Sequence, residues 1–294
     1  MAGLTDDDVP AYWAALGLPG LVDIHVHFLP SQMLAKVWAY FDQAEEHYGV
    51  AWPIEYRLSQ DERLSRLRAL GVRAFPALAY PHKPGMASWL NDWTLDLAER
   101  TPECVPSATF YPEPEAVSYV AGALERGARV FKVHVQVGGF DPRDPLLDPV
   151  WGLLADAGVP VVTHCGSGPI AGTFTGPDVM AAVLRRHPSL TLVVAHLGSP
   201  EYGGFVDLVQ EYPRVYLDTT MAFTDFLEAV ASVPDSVRKR LPDLGDRVVL
   251  GSDFPNIPYS YAHQIEALDR LGYGPDWMRA VLWHNGARLL GISS

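Results

Sequence analysis

Leu21-Val22-Asp23-Ile24-His25-Val26-His27 is an apolar run that ends on two histidines spaced two apart. In a strand, alternate residues face one side, about 6.6 Å apart at Cα. His25 and His27 therefore point together with Asp23 below them, while Ile24 and Val26 face the other way. Runs of the same kind recur. Val72–Tyr80, Val105–Tyr111, Arg129–Val137, Val159–His164, Thr191–His196, Arg214–Asp218 and Arg247–Asp253 bring the candidate strands to eight. Most of the intervals between them read as amphipathic helix. In Asp178–His187, the residues Val179, Ala182, Val183 and Arg186 alternate core and solvent faces at helical period. In Leu146–Gly158, Gly158 and Pro160 stop the helix before the next strand.

Strand–helix alternation with buried strands implies a parallel sheet. Eight repeats favour closure, so the expected fold is an α/β (β/α)8 TIM barrel. The rival, a doubly wound sheet, loses support because no G-x-G-x-x-G follows the first strand. One domain over 1–294 is expected, because such barrels run to about 250 residues as a unit. A segment at about 31–70 is too long for a single crossover. It is read as an insertion contributing to the active-site mouth. It carries Trp38, Tyr40, Phe41 and Trp52, then a helix opened by Ser59 with Glu62 at capping-box spacing. A second loop, Pro81–Asn91, carries His82, Lys83 and Trp89.

Composition narrows the function classes. Apolar residues at 48% against 19% charged argue against disorder. A net charge of −13 disfavours nucleic acid, which needs a basic face, and anionic membranes. An anionic small molecule stays open, because a metal ion and one or two arginines can set the field inside a cleft. Two separate cysteines, Cys104 and Cys165, make neither a disulfide framework nor a thiolate cluster. The acidic start MAGLTDDDVP has no apolar core of a signal peptide, and no run approaches the ~20 apolar residues that span a bilayer. A cytoplasmic location follows as the default expectation.

The chemistry lies at the ends of the strands. Two imidazoles on one strand face can share an ion at about 2.1 Å, or can be core histidines satisfied by hydrogen bonds. His164, His196 and Asp253 end three further apolar runs. Buried groups of this kind cost several kcal/mol unless paired or ligated, and barrel active sites gather at the carboxyl ends of the strands. Together they point to a metal centre.

The order of these residues resembles the amidohydrolase superfamily. More narrowly, His25-Val26-His27-Phe28-Leu29-Pro30, Asn91-Asp92, Lys132-Val133-His134, Gly251-Ser252-Asp253-Phe254-Pro255 and the tail Asn285-Gly286-Ala287-Arg288-Leu289-Leu290-Gly291 resemble the aminocarboxymuconate-semialdehyde decarboxylase-like subgroup. The resemblance implies one divalent ion, usually Zn2+, on His25, His27, His164 and Asp253. His196 would bond the ion's water. A bound ion lowers the pKa of water from 15.7 to about 7, and Asp253 could accept the proton, with His196 and Lys132 as further catalytic groups. Lys132 leaves an alternative open. In binuclear members a lysine on strand four is carbamylated and bridges a second ion, whereas the mononuclear subgroup also carries K-x-H without a carbamate. One ion is the preferred expectation.

His134, Arg57, Trp89, His82 and Trp52 are candidate substrate contacts, with Arg57 able to clamp a carboxylate. Each is equally readable as an ordinary loop or core residue. The subgroup contains two kinds of enzyme. The preferred expectation is hydrolysis of a C–N or C–O bond in a cyclic amide, lactone or ester by metal-activated water. The alternative is non-oxidative decarboxylation of an unsaturated or aromatic acid. The partner is a small molecule, a carboxylate being one candidate, and barrels of this type often dimerise, so a homodimer is carried as an expectation.

Overall fold

The computed structural model describes residues 3–292, so the outermost residues of the 1–294 expectation lie outside it. Its parallel strands are β1 (Leu21–Val22), β2 (Val72–Pro76), β3 (Cys104–Val105), β4 (Ser107–Thr109), β5 (Val130–His134), β6 (Val161–His164), β7 (Leu192–Val194), β8 (Val215–Asp218) and β9 (Val248–Val249). They pair in chain order in two arcs, β1 to β3 and β4 to β9. The third expected run is split at Pro106. Its first half pairs with β2 and its second with β5. Proline has no N–H to give a ladder, and only its carbonyl is used, by Arg129 N at 2.8 Å.

The helix Ala87–Glu99 covers the split. Asn91 gives Nδ2 to the Thr109 carbonyl at 3.1 Å and takes the Thr109 N–H on Oδ1 at 2.7 Å. Thr94 Oγ1 donates to the Ser107 carbonyl at 2.7 Å. One amide side chain thus replaces a neighbouring strand, which is why Asn91 lies in a helix and not in the expected loop.

Backbone hydrogen bonds close the ring between the last run and the first. Ile24 N donates to Leu250 O at 2.9 Å, Asp253 N to His25 O at 2.9 Å and His27 N to Phe254 O at 2.7 Å. On its other flank the first run bonds the second, through Asp23 N to Ala74 O and Leu78 N to Val26 O. Val26 bridges both neighbours. The fold is a (β/α)8 barrel.

Several expected strands are shorter than their apolar runs. Arg129–Val137 stops at His134, and Val135–Gly138 turns into a short helix whose Val137 N–H bonds His134 Nδ1. Thr191–His196 stops at Val194, and His196 and Leu197 take left-handed backbone. Asp253 is left-handed as well, at φ 70°. These departures fall at the carboxyl ends of strands, where side chains must turn into the mouth, and strained backbone tends to cluster at functional sites.

The helices are closer to expectation. Asp148–Ala157 ends on left-handed Gly158. Pro177–Arg186 buries Met180, Val183 and Leu184, so its inner face is rotated from the one expected. The 31–70 segment folds as helices Ser31–Phe41, Ala44–Tyr48 and Gln60–Leu70, the last with the Ser59–Glu62 capping box formed. Trp38 Nε1 and Trp52 Nε1 both bond Asn256, three residues beyond Asp253. The tail motif is structural: Asn285 Nδ2 bonds the carbonyls of Gly245 and Val248. No helix among the described residues is long and apolar enough to cross a membrane.

Candidate metal centre

Asp253 is the point of convergence. Its Oδ1 lies 2.9 Å from His27 Nε2 and 3.4 Å from His25 Nε2. One donor atom each from His25, His196 and Asp253 all fall within 4.8 Å of one another. The first and last runs bring His25, His27 and Asp253 together because their backbones bond directly at the seam.

The second nitrogen of each strand-one histidine fixes its tautomer. His27 Nδ1 lies 2.8 Å from the carbonyl of Leu78, which can only accept, so Nδ1 carries the proton. His25 Nδ1 lies 2.8 Å from Asp218 Oδ2 and is protonated for the same reason. Both Nε2 atoms therefore turn to the centre. His27 Nε2 and Asp253 Oδ1, 2.9 Å apart, can share either a proton or a divalent ion. His25 Nε2 has Lys132 Nζ beside it at 3.1 Å, and burial and Lys132 bring the His25 pKa down to about 4. Nitrogen and oxygen donors at these spacings, each histidine held from behind by a carboxylate or carbonyl, are the chemistry a divalent ion needs. The residues present fit one.

Asp218 was not among the expected site residues. Fully buried at the end of β8, it takes His25 Nδ1 on one oxygen and the backbone N–H of His196 on the other, both at 2.8 Å. Burial alone would raise its pKa, but His25 beside it holds it well below the usual carboxylate range. The signal for it was present: Arg214–Asp218 is an apolar run ending in an acid, like the others. Asp218→Ala is expected to weaken divalent-ion binding by about 10- to 100-fold, measured by competition with a chelator.

Asp23 ties the seam from below. Its Oδ1 takes the backbone N–H of His25 at 3.1 Å and of Ser252 at 3.2 Å, and its Oδ2 takes the Tyr261 hydroxyl at 2.8 Å. Burial pushes its pKa up to about 7.

The remaining expected residues divide. Lys132 Nζ lies 3.1 Å from His25 Nε2, and burial brings its pKa down to about 8. His134 and His164 are register partners on β5 and β6, with rings stacked 3.8 Å apart. His164 Nε2 bonds the Gly168 carbonyl at 2.9 Å, which leaves Nδ1 with its lone pair. His196 lies between the rings of His25 and His164, at 5.2 and 4.7 Å. Trp52 packs on Phe226 at the rim. His82 and Trp89 are exposed. Arg57 is drawn away from the centre: its guanidinium pairs with Asp42 and bonds the Trp38 carbonyl.

A model of the amidohydrolase family matches residues 22–292. The chain is similar to an uncharacterised TIM-barrel protein from Bordetella bronchiseptica, at 21% identity over 92% of this chain and 98% of that chain, with a TM-score of 0.75. It is similar to 5-carboxyvanillate decarboxylase from Sphingomonas paucimobilis, at 14% identity over 94% of this chain and 100% of that chain, TM-score 0.60. It is similar to a probable 2-pyrone-4,6-dicarboxylic acid hydrolase from Acinetobacter baumannii, at 12% identity over 93% and 100%, TM-score 0.60. Comparison with curated proteins gives no match. At these identities the solved structures speak to the fold alone.

Proposed function

The chain belongs to the amidohydrolase family, and from that premise we propose that it hydrolyses a C–N or C–O bond in a cyclic amide, lactone or ester with the help of one divalent ion. The observation that carries this reading is the convergence of the ring nitrogens of His25, His27 and His196 on Asp253 at the carboxyl ends of the strands. His25, His27 and Asp253 hold the ion in this proposal, and His164 completes the set through Nδ1. Bound there, a divalent ion supplies Lewis acidity and makes a water more acidic.

The protein groups do the rest. Asp253 is kept ionised: burial works against it, but the hydrogen bond from His27 holds its pKa well below the ordinary carboxylate range. Its Oδ2 makes no hydrogen bond among the described residues, so that oxygen is available to take a proton from water. Burial brings His196 to about 4, so it is neutral at pH 7 and acts as a hydrogen-bond partner and not as an acid. Lys132 is the cation in the ring and can stabilise negative charge on a carbonyl oxygen. A carboxylate base with a lysine opposite it serves hydrolysis directly, one taking the water's proton and the other steadying the oxyanion.

Metal-loaded protein is expected to open lactones or cyclic amides. Chelation abolishes that turnover, and adding back a single equivalent of Zn2+ restores it. His164→Ala loses stoichiometric metal, whereas His196→Ala keeps it and loses activity. Screening lactones, cyclic amides and aromatic acids with parallel detection of CO2 decides the reaction: CO2 release without hydrolysis overturns the hydrolase reading in favour of a decarboxylase. A metal-to-chain ratio of two would move the assignment to a second ion on a carbamylated Lys132.

A further inference from the structure

Arg63 lies on the inner face of the helix Gln60–Leu70 and is only 2% exposed. Its Nε and Nη1 are buried without any hydrogen-bond partner. Among the described residues no acidic side chain pairs with it, while its neighbours Arg57 and Arg68 are taken by Asp42 and Glu103. Its contacts are two ring faces, Phe28 at 4.8 Å and Trp38 at 5.9 Å. Ring faces offset part of the charge but leave in-plane N–H groups unsatisfied. A buried cation with unmet donors is among the costliest features a fold can carry. Burial lowers its pKa to about 10, so it stays charged at neutral pH.

Both rings are tied to segments that carry the proposed metal donors. Phe28 follows His27, and Trp38 Nε1 donates to Asn256 Oδ1 at 3.0 Å, close beyond Asp253. Phe28 alternates with His27 along the first run, so Arg63 lies beside the centre and not within it.

We propose that Arg63, between Phe28 and Trp38, is the anchor of a carboxylate-binding slot. A planar carboxylate meets the unsatisfied N–H groups with charge-assisted hydrogen bonds, and the two rings cover its apolar body. The carboxylate is either the far end of an extended substrate or a free acid acting as an effector; only the first source rests on the hydrolase reading above.

The probe is benzoate, with benzamide as the neutral control. Benzoate is expected to raise the Tm of the wild-type protein and, less, of Arg63→Lys, but not of Arg63→Met, and benzamide to raise none. Arg63→Met without ligand should be at least as heat-stable as wild type, because it removes an unpaired buried charge. No shift in wild type, or an equal shift in Arg63→Met, overturns the slot. A drop in the Tm of Arg63→Met with no benzoate effect on the wild type assigns Arg63 to packing alone. For a hydrolysed carboxylate substrate, a KM raised about tenfold or more in Arg63→Met, with kcat and the methyl ester unaffected, identifies the substrate as the source. A kcat that responds to benzoate in wild type but not in Arg63→Met identifies an effector. Failure of the hydrolysis screen leaves the benzoate measurement standing.

Discussion

Asp253→Asn is expected to lower turnover by about 10³-fold while the melting temperature stays within a few degrees of wild type. Asparagine is the informative replacement because Asp253 sits at φ 70°, a left-handed conformation that asparagine tolerates and alanine does not. The backbone contacts, Asp253 N to His25 O and Asn256 N to Asp253 O, are untouched. What changes is the charge. An amide keeps one oxygen toward the centre but brings no negative charge and no base, so it holds a divalent ion less well. Bound metal should therefore fall together with turnover. Metal analysis beside kcat checks this, and full metal content with normal turnover would remove Asp253 from the centre.

Gly251→Ala is expected to disorganise the same centre without touching a single donor. A Cβ at 251 would stand 2.2 Å from Thr220 Oγ1, 2.9 Å from His25 Cβ and 3.2 Å from Asp218 Cγ. Thr220 is fully buried and β-branched, so rotating it only exchanges a hydroxyl for a methyl. His25 cannot yield at Cβ without moving its strand. Overpacking of this kind costs about 1–3 kcal/mol, and the movement falls on His25 and on the Asp218 that orients it. Denaturant unfolding should show the loss of stability, and chelator competition a loss of metal affinity. Adding Thr220→Ala removes the nearest clash and should recover part of the stability, while the contact with His25 remains. A Gly251→Ala protein with wild-type stability and metal content would mean that the seam is looser than its contacts indicate.

The barrel was legible because each strand is an apolar run, and burial on both sheet faces leaves no alternative to such a composition. A polar group at the end of such a run has to be ligated or paired, which is what makes the histidines and Asp253 candidates from sequence. Asp218 carries the same signal, although the ligand set that the resemblance implies does not include it. Arg57, the expected carboxylate clamp, and Arg63, which was not among the candidates, differ in their periodicity. Arg57 lies before the helix and finds an exposed partner in Asp42. Arg63 shares a helix face with Leu67 and Leu70, at spacings of four and seven, which is the stripe that faces the core. Read for periodicity instead of proximity to the histidines, the sequence picks out Arg63 as the buried one. The split at Pro106 was also readable, since proline cannot sit in a continuous ladder. The way Asn91 repairs it was not, because that depends on a helix lying across two strands.

The Nε2 of His27 and the carboxylate of Asp253 are separated by 226 residues of chain. At 5–20 residues per second, a ribosome needs roughly 10 to 45 seconds to travel from one to the other. Throughout that interval the emerging polypeptide has the histidines of the proposed ligand set but not its carboxylate, nor the last run that closes the ring on the first. A complete centre therefore exists only after the final strand docks, which puts the choice of ion after synthesis rather than during it.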